Sequence, residues 1–276
     1  MNELKFTTAG QPICNGTAGY KKAFDVLEKL NLDGLELEFV HGVRMSESNQ
    51  TLVKNIAQEK NMVLTAHGPY YINLNSLEED KINASIKRVL DTARMGHSLG
   101  AFSITYHAAF YMGMQPNQVY TKVEKATEEI CKALEKEKID IWVRPETTGK
   151  PTQWGDLEEI VKLAKNFKQI LPCVDFSHLH ARTNGAFNTY DEFCYAFEHI
   201  GNELGIIALE NFHAHIAGIE YSPKGEKKHL MLEESDMNYK DLLKAFKKFA
   251  VKGVIVCESP IMENDAVLLK EYYQSL

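Results

Sequence analysis

The sequence predicts an α/β protein built as one closed (β/α)8 barrel domain over residues 1–276. Short β-branched or apolar runs alternate with longer helical patterns, eight of each, and no low-complexity linker interrupts them. A repeated βα alternation implies parallel strands, and barrels of this length commonly form a single domain. An open doubly wound sheet is the alternative, but no GxGxxG motif follows the first predicted strand.

The predicted elements follow from the hydrophobic period and from the residues that start helices. The expected strands cover residues 5–8, 34–40, 62–67, 102–107, 140–146, 170–175, 212–216 and 253–258. The expected helices cover residues 19–31, 47–60, 78–99, 117–138, 156–167, 190–204, 238–250 and 263 to the end. Two glycine-containing stretches, 10–19 and 217–225, are predicted to be long loops at the catalytic face.

Composition places the chain among globular enzymes, with 44% hydrophobic and 25% charged residues. No apolar run approaches the length of a membrane span, and the first residues form no signal peptide. The five scattered cysteines contain no CxxC pair, which favours reduced thiols. We therefore expect a cytoplasmic protein with no membrane partner. The net charge of −7 disfavours nucleic acid only if no carboxylate binds a cation.

Imidazoles and carboxylates stand where the predicted strands end, which is where barrel enzymes build their sites. Six of the eight strands end in such a residue: His67, His107, Glu146, Asp175, His215 and Glu258. His178 follows Asp175 by three residues, and His229 lies in the long loop after the seventh strand.

This set of side chains indicates metal binding. Imidazole with carboxylate suits zinc, iron or manganese, and carboxylates crowded at one mouth without cations would raise each other's pKa. Eight candidate ligands exceed the three or four that one ion usually takes, so two or three ions are expected. Glu146 is the natural bridging carboxylate.

Several motifs together resemble the endonuclease IV family of apurinic/apyrimidinic endonucleases, roughly from Met62 to Pro260. The matching stretches read AHGPYYINL, YHAAF, PETTGK, VDFSHLHA, HIAG and ESP. The first and third of these are fairly specific together, whereas Asp-x-x-His alone is weak.

The resemblance implies a TIM barrel hydrolase of DNA repair that holds zinc in three sites. His67, His107 and Glu146 would hold the first ion, and His178 with His229 the third. The second set would be Glu146, Asp175, His215 and Glu258. The implied reaction is incision of double-stranded DNA 5′ to an abasic site by a metal-activated hydroxide, with Glu146 essential for catalysis. We expect a monomer that binds zinc, with manganese or iron possible in some sites.

Candidate DNA contacts lie in the loops around these ligands. Tyr70, with Tyr71 as a second candidate, matches the family's aromatic position that enters DNA beside the lesion; the alternative is that both pack on the barrel rim. Arg182, Lys227 and Lys228 are candidate phosphate contacts, although a basic run is usually a solvated face.

The chain departs from the family pattern at two places. Lys227 occupies the position of an aspartate that binds the third zinc, and Glu226 is one residue out of register. Either Glu226 replaces the aspartate, or His178 and His229 hold a weak third ion; we expect the weak site. The sequences TTAGQPICNGTAGY and LELEFVHGVRMS also differ from the family's first loops.

Other readings stay open. A sugar isomerase or epimerase would use Glu146, Asp175, His215 and Glu258 around one cation, and a non-enzymatic metal or nucleic-acid binding protein is a third class. His213 shares the face of His215 either as a supporting group or in a purely structural role. The remaining histidines are read as non-ligands: His41, His97, His180 and His199.

Overall fold

The structure is a computed structural model that describes residues 1–16 and 18–276. It confirms the α/β barrel. The eight barrel strands are β1 (Leu4–Ala9), β2 (Gly34–Glu38), β3 (Val63–His67), β4 (Ser103–Tyr106), β6 (Trp142–Pro145), β8 (Val174–Asp175), β9 (Phe212–Ile216) and β12 (Gly253–Cys257). Four further strands form two small sheets: β5 (Ala109–Phe110) with β7 (Gln153–Trp154), and β10 (Gly218–Ser222) with β11 (Gly225–Leu230).

Ten α-helices lie in the described part of the chain. They are α1 (Tyr20–Lys29), α2 (Glu47–Glu59), α3 (Glu79–Leu99), α4 (Pro116–Glu137), α5 (Leu157–Ala164), α6 (Phe176–Arg182), α7 (Tyr190–Leu204), α8 (Ile206–Glu210), α9 (Tyr239–Lys248) and α10 (Met262–Ser275). The eight predicted helices are all present, and the short α6 and α8 are additional. Asp156 and Glu159 form the capping box that starts α5.

All eight barrel strands are parallel, in the order β6-β4-β3-β2-β1-β12-β9-β8. Parallel bridges from Val143 to Ile170 and from Glu146 to Cys173 join the two ends of this order and close the ring. The predicted strand over 170–175 is regular only at its last two residues. Pro172 has no N–H to donate to the sheet, which explains the interruption.

The stretch predicted as a loop at 217–225 is instead part of a β-hairpin, because β10 begins at Gly218 and pairs with β11. The other predicted loop, 10–19, contains a short 3-10 helix at Ile13–Asn15 and includes Thr17, which lies outside the described residues. Among the described helices, none combines the length and the apolar character that a membrane crossing requires.

The apolar core lies between the barrel and its outer helices. Phe176, Phe197, Phe212 and Phe246 pack on one another with ring centroids 4.8–6.4 Å apart. Each is fully or almost fully buried. The interior of the barrel is different, because several of its side chains are polar: Thr7, Glu36, Ser103, Thr105, His213 and His215.

Candidate metal centre

The carboxyl ends of the barrel strands bring the eight predicted ligands into three overlapping groups. Within each group, one ligand atom from every member lies within 4.8 Å of the others. The groups are His67 with His107 and Glu146; Glu146 with Asp175, His215 and Glu258; and Asp175 with His178 and His229. Glu146 therefore belongs to two groups, and so does Asp175.

Glu146 lies at the centre of the site because it directly follows β6, and its backbone N–H donates to the carbonyl of Tyr106. Its Oε2 lies 3.1 Å from Nε2 of His67, and its Oε1 lies 3.2 Å from Nε2 of His107. The same Oε1 is 3.4 Å from Nδ1 of His215. One buried carboxylate thus faces imidazoles from three other strand ends.

Asp175 and His178 are held together by a helix start. Asp175 is the N-cap of α6, and its Oδ1 accepts from the backbone N–H of His178 at 2.7 Å. Its Oδ2 remains available, 3.3 Å from Nδ1 of His178. The Asp-x-x-His spacing therefore places both side chains on the same side of the first helical turn.

Three imidazoles are oriented by backbone carbonyl groups. The Nδ1 atoms of His67, His178 and His229 lie 2.8–3.2 Å from the carbonyl oxygens of Gly68, Thr147 and Glu258. A carbonyl only accepts, so each Nδ1 donates to it, and in the neutral ring the lone pair is then on Nε2. That is the tautomer in which Nε2 binds a metal.

A β-bulge in the β10–β11 hairpin explains how the chain accommodates Lys227. Tyr221 pairs with Glu226 and Glu220 pairs with Lys228, so Lys227 is the extra residue of the bulge.

The bulge resets the alternation of side chains along β11. Glu226 and His229 pair with Tyr221 and Ile219, two residues apart on β10, and so share one face. Lys227 lies on the other face, with its Nζ 3.0 Å from Glu220. On the ligand face, Oε2 of Glu226 lies 3.6 Å from Nε2 of His178.

Gly149, in the ETTG stretch, leaves room for this carboxylate. A Cβ atom at position 149 would lie 2.7 Å from the Glu226 side chain and 2.9 Å from Cδ2 of His178. These distances are shorter than real Cβ contacts, so a larger residue would displace Glu226.

In the described part of the chain, several buried polar atoms at the site lack a hydrogen-bond partner, which is the arrangement expected of atoms that bind cations. Four buried atoms that face it lack a hydrogen-bond partner among the described residues: Oε1 of Glu146, Oδ2 of Asp175, Nδ1 of His215 and Nε2 of His229. Buried polar atoms are rarely left without a partner. The donor set of imidazole nitrogens and carboxylate oxygens suits zinc, manganese or iron.

The charges of the carboxylates are linked to the histidines. Burial opposes ionisation of Glu146, but His107 and His215 outweigh it and hold its pKa well below the ordinary range. For Asp175, burial dominates and raises the pKa to about 7. Added positive charge at this mouth would therefore favour the ionised form of Asp175 near neutral pH.

The predicted DNA contacts have different surroundings. Tyr70 and Tyr71 are 60% and 65% exposed, and the ring of Tyr70 lies 6.1 Å from that of His67. The Nζ atoms of Lys227 and Lys228 lie 3.0 and 3.5 Å from the carboxylate oxygens of Glu220. Arg182 donates to Thr148 Oγ1 and to the carbonyl groups of Lys150 and Gln153, so its guanidinium holds the loop between β6 and β7.

The histidines predicted as non-ligands lie outside the three groups. His180 lies 3.0 Å from Asp236, and His199 lies 3.0 Å from Glu158. His97 contacts the carbonyl of Asp140, and the ring of His41 packs edge-on near Tyr70.

Sequence reasoning missed Glu36. This residue of β2 is fully buried inside the barrel, beside His213 and His215. The signal was present in LELEF, where a glutamate interrupts a run of residues expected to be buried. His213 and His215 also form a geometric group with Cys173, but three of the four nitrogens of these imidazoles face Glu36 or Ser103.

The chain belongs to the family described as Xylose isomerase-like TIM barrel, whose sequence model matches residues 24–274. An uncharacterized protein of Methanocaldococcus jannaschii is 42% identical over 273 residues, which cover 99% of this chain and 98% of the relative.

Solved structures with the same fold include proteins with different activities. Endonuclease IV from Thermus thermophilus superposes with a TM-score of 0.76 at 14% identity, over 99% of this chain and all of that one. A D-tagatose 3-epimerase-like protein gives 0.75 at 18% identity, over 98% and 96% of the two chains. A D-psicose 3-epimerase crystallised with D-fructose gives 0.70 at 15%, over 98% of each. At such identities the likeness establishes the fold alone.

Proposed function

We propose that this protein is a metal-dependent phosphodiesterase that incises double-stranded DNA 5′ to abasic sites, as an endonuclease IV-like enzyme. The observation that carries the proposal is the sharing of Glu146 and Asp175 among three ligand groups. Shared carboxylates would hold two or three cations beside one another, an arrangement suited to phosphate diester hydrolysis.

Zinc is the cation we propose, with manganese or iron as substitutes. When bound, such ions supply Lewis-acid activation of water and neutralise charge on the phosphate. The chain contributes the positions. His67 and His107 hold one side of Glu146, while Asp175, His215 and Glu258 surround the other.

The third ion would be held by His178, His229 and Asp175, with Glu226 as the carboxylate that replaces the family's aspartate. Support comes from the bulge at Lys227, which puts Glu226 on the same face as His229. The hairpin thus favours Glu226 as a ligand over the weak third site that we expected from the sequence.

The support for DNA is chemical. Tyr70 and Tyr71 offer exposed aromatic faces next to the ligand groups, and stacking on aromatic rings tolerates any base. Two exposed lysines, Lys227 and Lys228, lie on the outer face of the neighbouring hairpin. The net charge of −7 includes the ligand carboxylates, which bound cations would offset.

A sugar isomerase or epimerase is the second candidate. The group of Glu146, Asp175, His215 and Glu258 could serve such an enzyme with a single cation. However, this reaction gives no role to the groups that contain His67, His107 and His229.

The test is incision of a duplex oligonucleotide that carries one abasic site, by zinc-loaded protein, with an intact duplex as the control substrate. We expect a single cut 5′ to the lesion, a 3′-hydroxyl product, and two or three metals per chain. Conversion of D-tagatose or D-fructose by protein with one metal, without any incision, would overturn the proposal and support the epimerase.

A further inference from the structure

A buried polar network lies one layer below the ligand groups, inside the barrel. It consists of Ser103, His213, Glu36 and His215, which come from β4, β9 and β2 and are all fully buried. Barrel interiors are ordinarily filled by branched apolar side chains. A carboxylate here is costly unless its neighbours compensate its charge.

The network is continuous from Ser103 to the metal centre. Ser103 Oγ lies 2.9 Å from Nδ1 of His213. Nε2 of His213 lies 3.2 Å from one oxygen of Glu36, and Nε2 of His215 lies 3.0 Å from the other. These carboxylate and Nε2 atoms have no aligned hydrogen-bond partner in the described chain, so the contacts of 3.0–3.2 Å between Glu36 and the two imidazoles are electrostatic.

The negative charge of Glu36 then determines which nitrogen of each imidazole faces it with a proton. An ionised carboxylate only accepts, so the nitrogen next to Glu36 carries the proton in both histidines. In His213 the other nitrogen, Nδ1, accepts from the Ser103 hydroxyl. In His215 the other nitrogen, Nδ1, lies 3.3 Å from Glu258 and 3.4 Å from Glu146, and metal binding at this atom requires the neutral ring with its lone pair on Nδ1.

A lone pair that faces two carboxylates has no hydrogen to share with either of them. A cation between the three groups removes this conflict, which a water molecule would relieve only in part. His215 is also the exception among the described ligands, because the other oriented imidazoles present Nε2 and rest on backbone carbonyls. The ring of His215 is instead supported by the full negative charge of Glu36.

We propose that Glu36 is a positioning residue that fixes His215 with Nδ1 toward the metal, and that His213 and Ser103 hold Glu36 in place. The inference rests on the metal centre of the proposed function but not on the reaction performed there. A carboxylate behind a metal-binding histidine fixes the ring and raises its basicity, and losing such a partner typically weakens metal binding by about 10–100-fold.

The first experiment measures stepwise zinc affinities by competition with a chromogenic chelator. In Glu36→Gln we expect one binding step to weaken by about 10–100-fold while the others stay unchanged. Ser103→Ala, which leaves the carboxylate in place, should weaken the same step only a few-fold. Glu263→Gln is the matched control, because this buried carboxylate accepts from the N–H groups of Ile13 and Cys14 and belongs to none of the ligand groups.

The second experiment uses the native protein, so its result does not depend on whether a variant folds. Nitrogen and carbon NMR of histidine-labelled native protein, with and without zinc, reports which nitrogen of His215 carries the proton. We expect a protonated Nε2 and a shift of Nδ1 on zinc addition.

The two experiments separate this inference from the proposed function. Zinc bound through Nε2 of His215, or unchanged affinities in Glu36→Gln, would overturn the inference even if abasic DNA is cut. A weakened step in Glu36→Gln, with zinc on Nδ1, would support the inference even if no DNA is cut.

Discussion

Two clusters of fully buried side chains lie back to back across the barrel wall, and they obey different rules. Outside the wall, Phe176, Phe197 and Phe246 pack ring against ring. Inside it, Glu36 and His213 lie within 3.2 Å of each other. The outer cluster is specified by volume and apolar area. The inner cluster is specified by how many protons it holds and which atoms carry them. A substitution that keeps the shape of a side chain but changes its protons is therefore as disruptive there as a substitution that creates a cavity.

The largest effect is expected for Glu146→Gln, which preserves shape but removes a charge from two ligand groups. Incision should fall by at least about 100-fold, since even outer partners of metal ligands change activity by about 10–100-fold. Metal content, measured by elemental analysis, should fall with it. Full incision by the Glu146→Gln variant, with its metal content unchanged, would remove the basis of the proposed centre.

The outer cluster should respond in stability alone. Phe197 is fully buried against four other phenylalanine rings, so Phe197→Ala should cost about 3–5 kcal/mol of unfolding free energy. Phe197→Leu, which keeps more volume, should cost less. Denaturant unfolding measures both, and zinc affinity at a temperature where the variants are folded should match that of the native chain. A coupled loss of zinc affinity would show that the two clusters are not independent.

Retention of the third metal tests whether the β10–β11 hairpin places Glu226 at the metal centre. Glu226→Gln should release one metal per chain at chelator concentrations that leave the others bound, because the lost charge faces His178. Lys227→Ala is the control, since its side chain faces Glu220. Gly149→Ala should imitate Glu226→Gln, because its methyl group would displace the carboxylate.

Equal retention of the third metal in Glu226→Gln and Lys227→Ala would return the weaker alternative, in which His178 and His229 hold that ion without Glu226. In that case His229→Ala should still abolish the site.

The smallest effect is expected at the exposed rim. Tyr70→Ala should weaken binding of abasic duplex DNA by about 1–3 kcal/mol, the range measured for base stacking on aromatic rings. Metal content should stay the same, and Tyr195→Ala, a tyrosine 50% exposed on the outer helix α7, should bind DNA normally. An unchanged dissociation constant together with a lower melting temperature would mean that Tyr70 only packs on the rim.

The sequence predicted the barrel strands and their order in the chain well, because hydrophobic period and turn residues act locally. It overextended β8, where Pro172 interrupts the hydrogen bonding, and it read the β10–β11 hairpin as a loop. Residues 218–230, which form this hairpin, are rich in glycine, lysine and glutamate and lack the alternating apolar pattern of a half-buried strand.

By itself, the sequence determined which residue types stand at the strand ends, and therefore that imidazoles and carboxylates would meet at one mouth. Parallel strands in a closed barrel make that conclusion unavoidable. Only the tertiary structure decided how those groups combine. The face on which Glu226 lies depends on a bulge set by pairing with β10. The role of Glu36 depends on contact with two histidines that are far away in the chain, on β9. Proton placement in a buried network is decided by neighbours from several strands at once, and no local pattern in one strand records them.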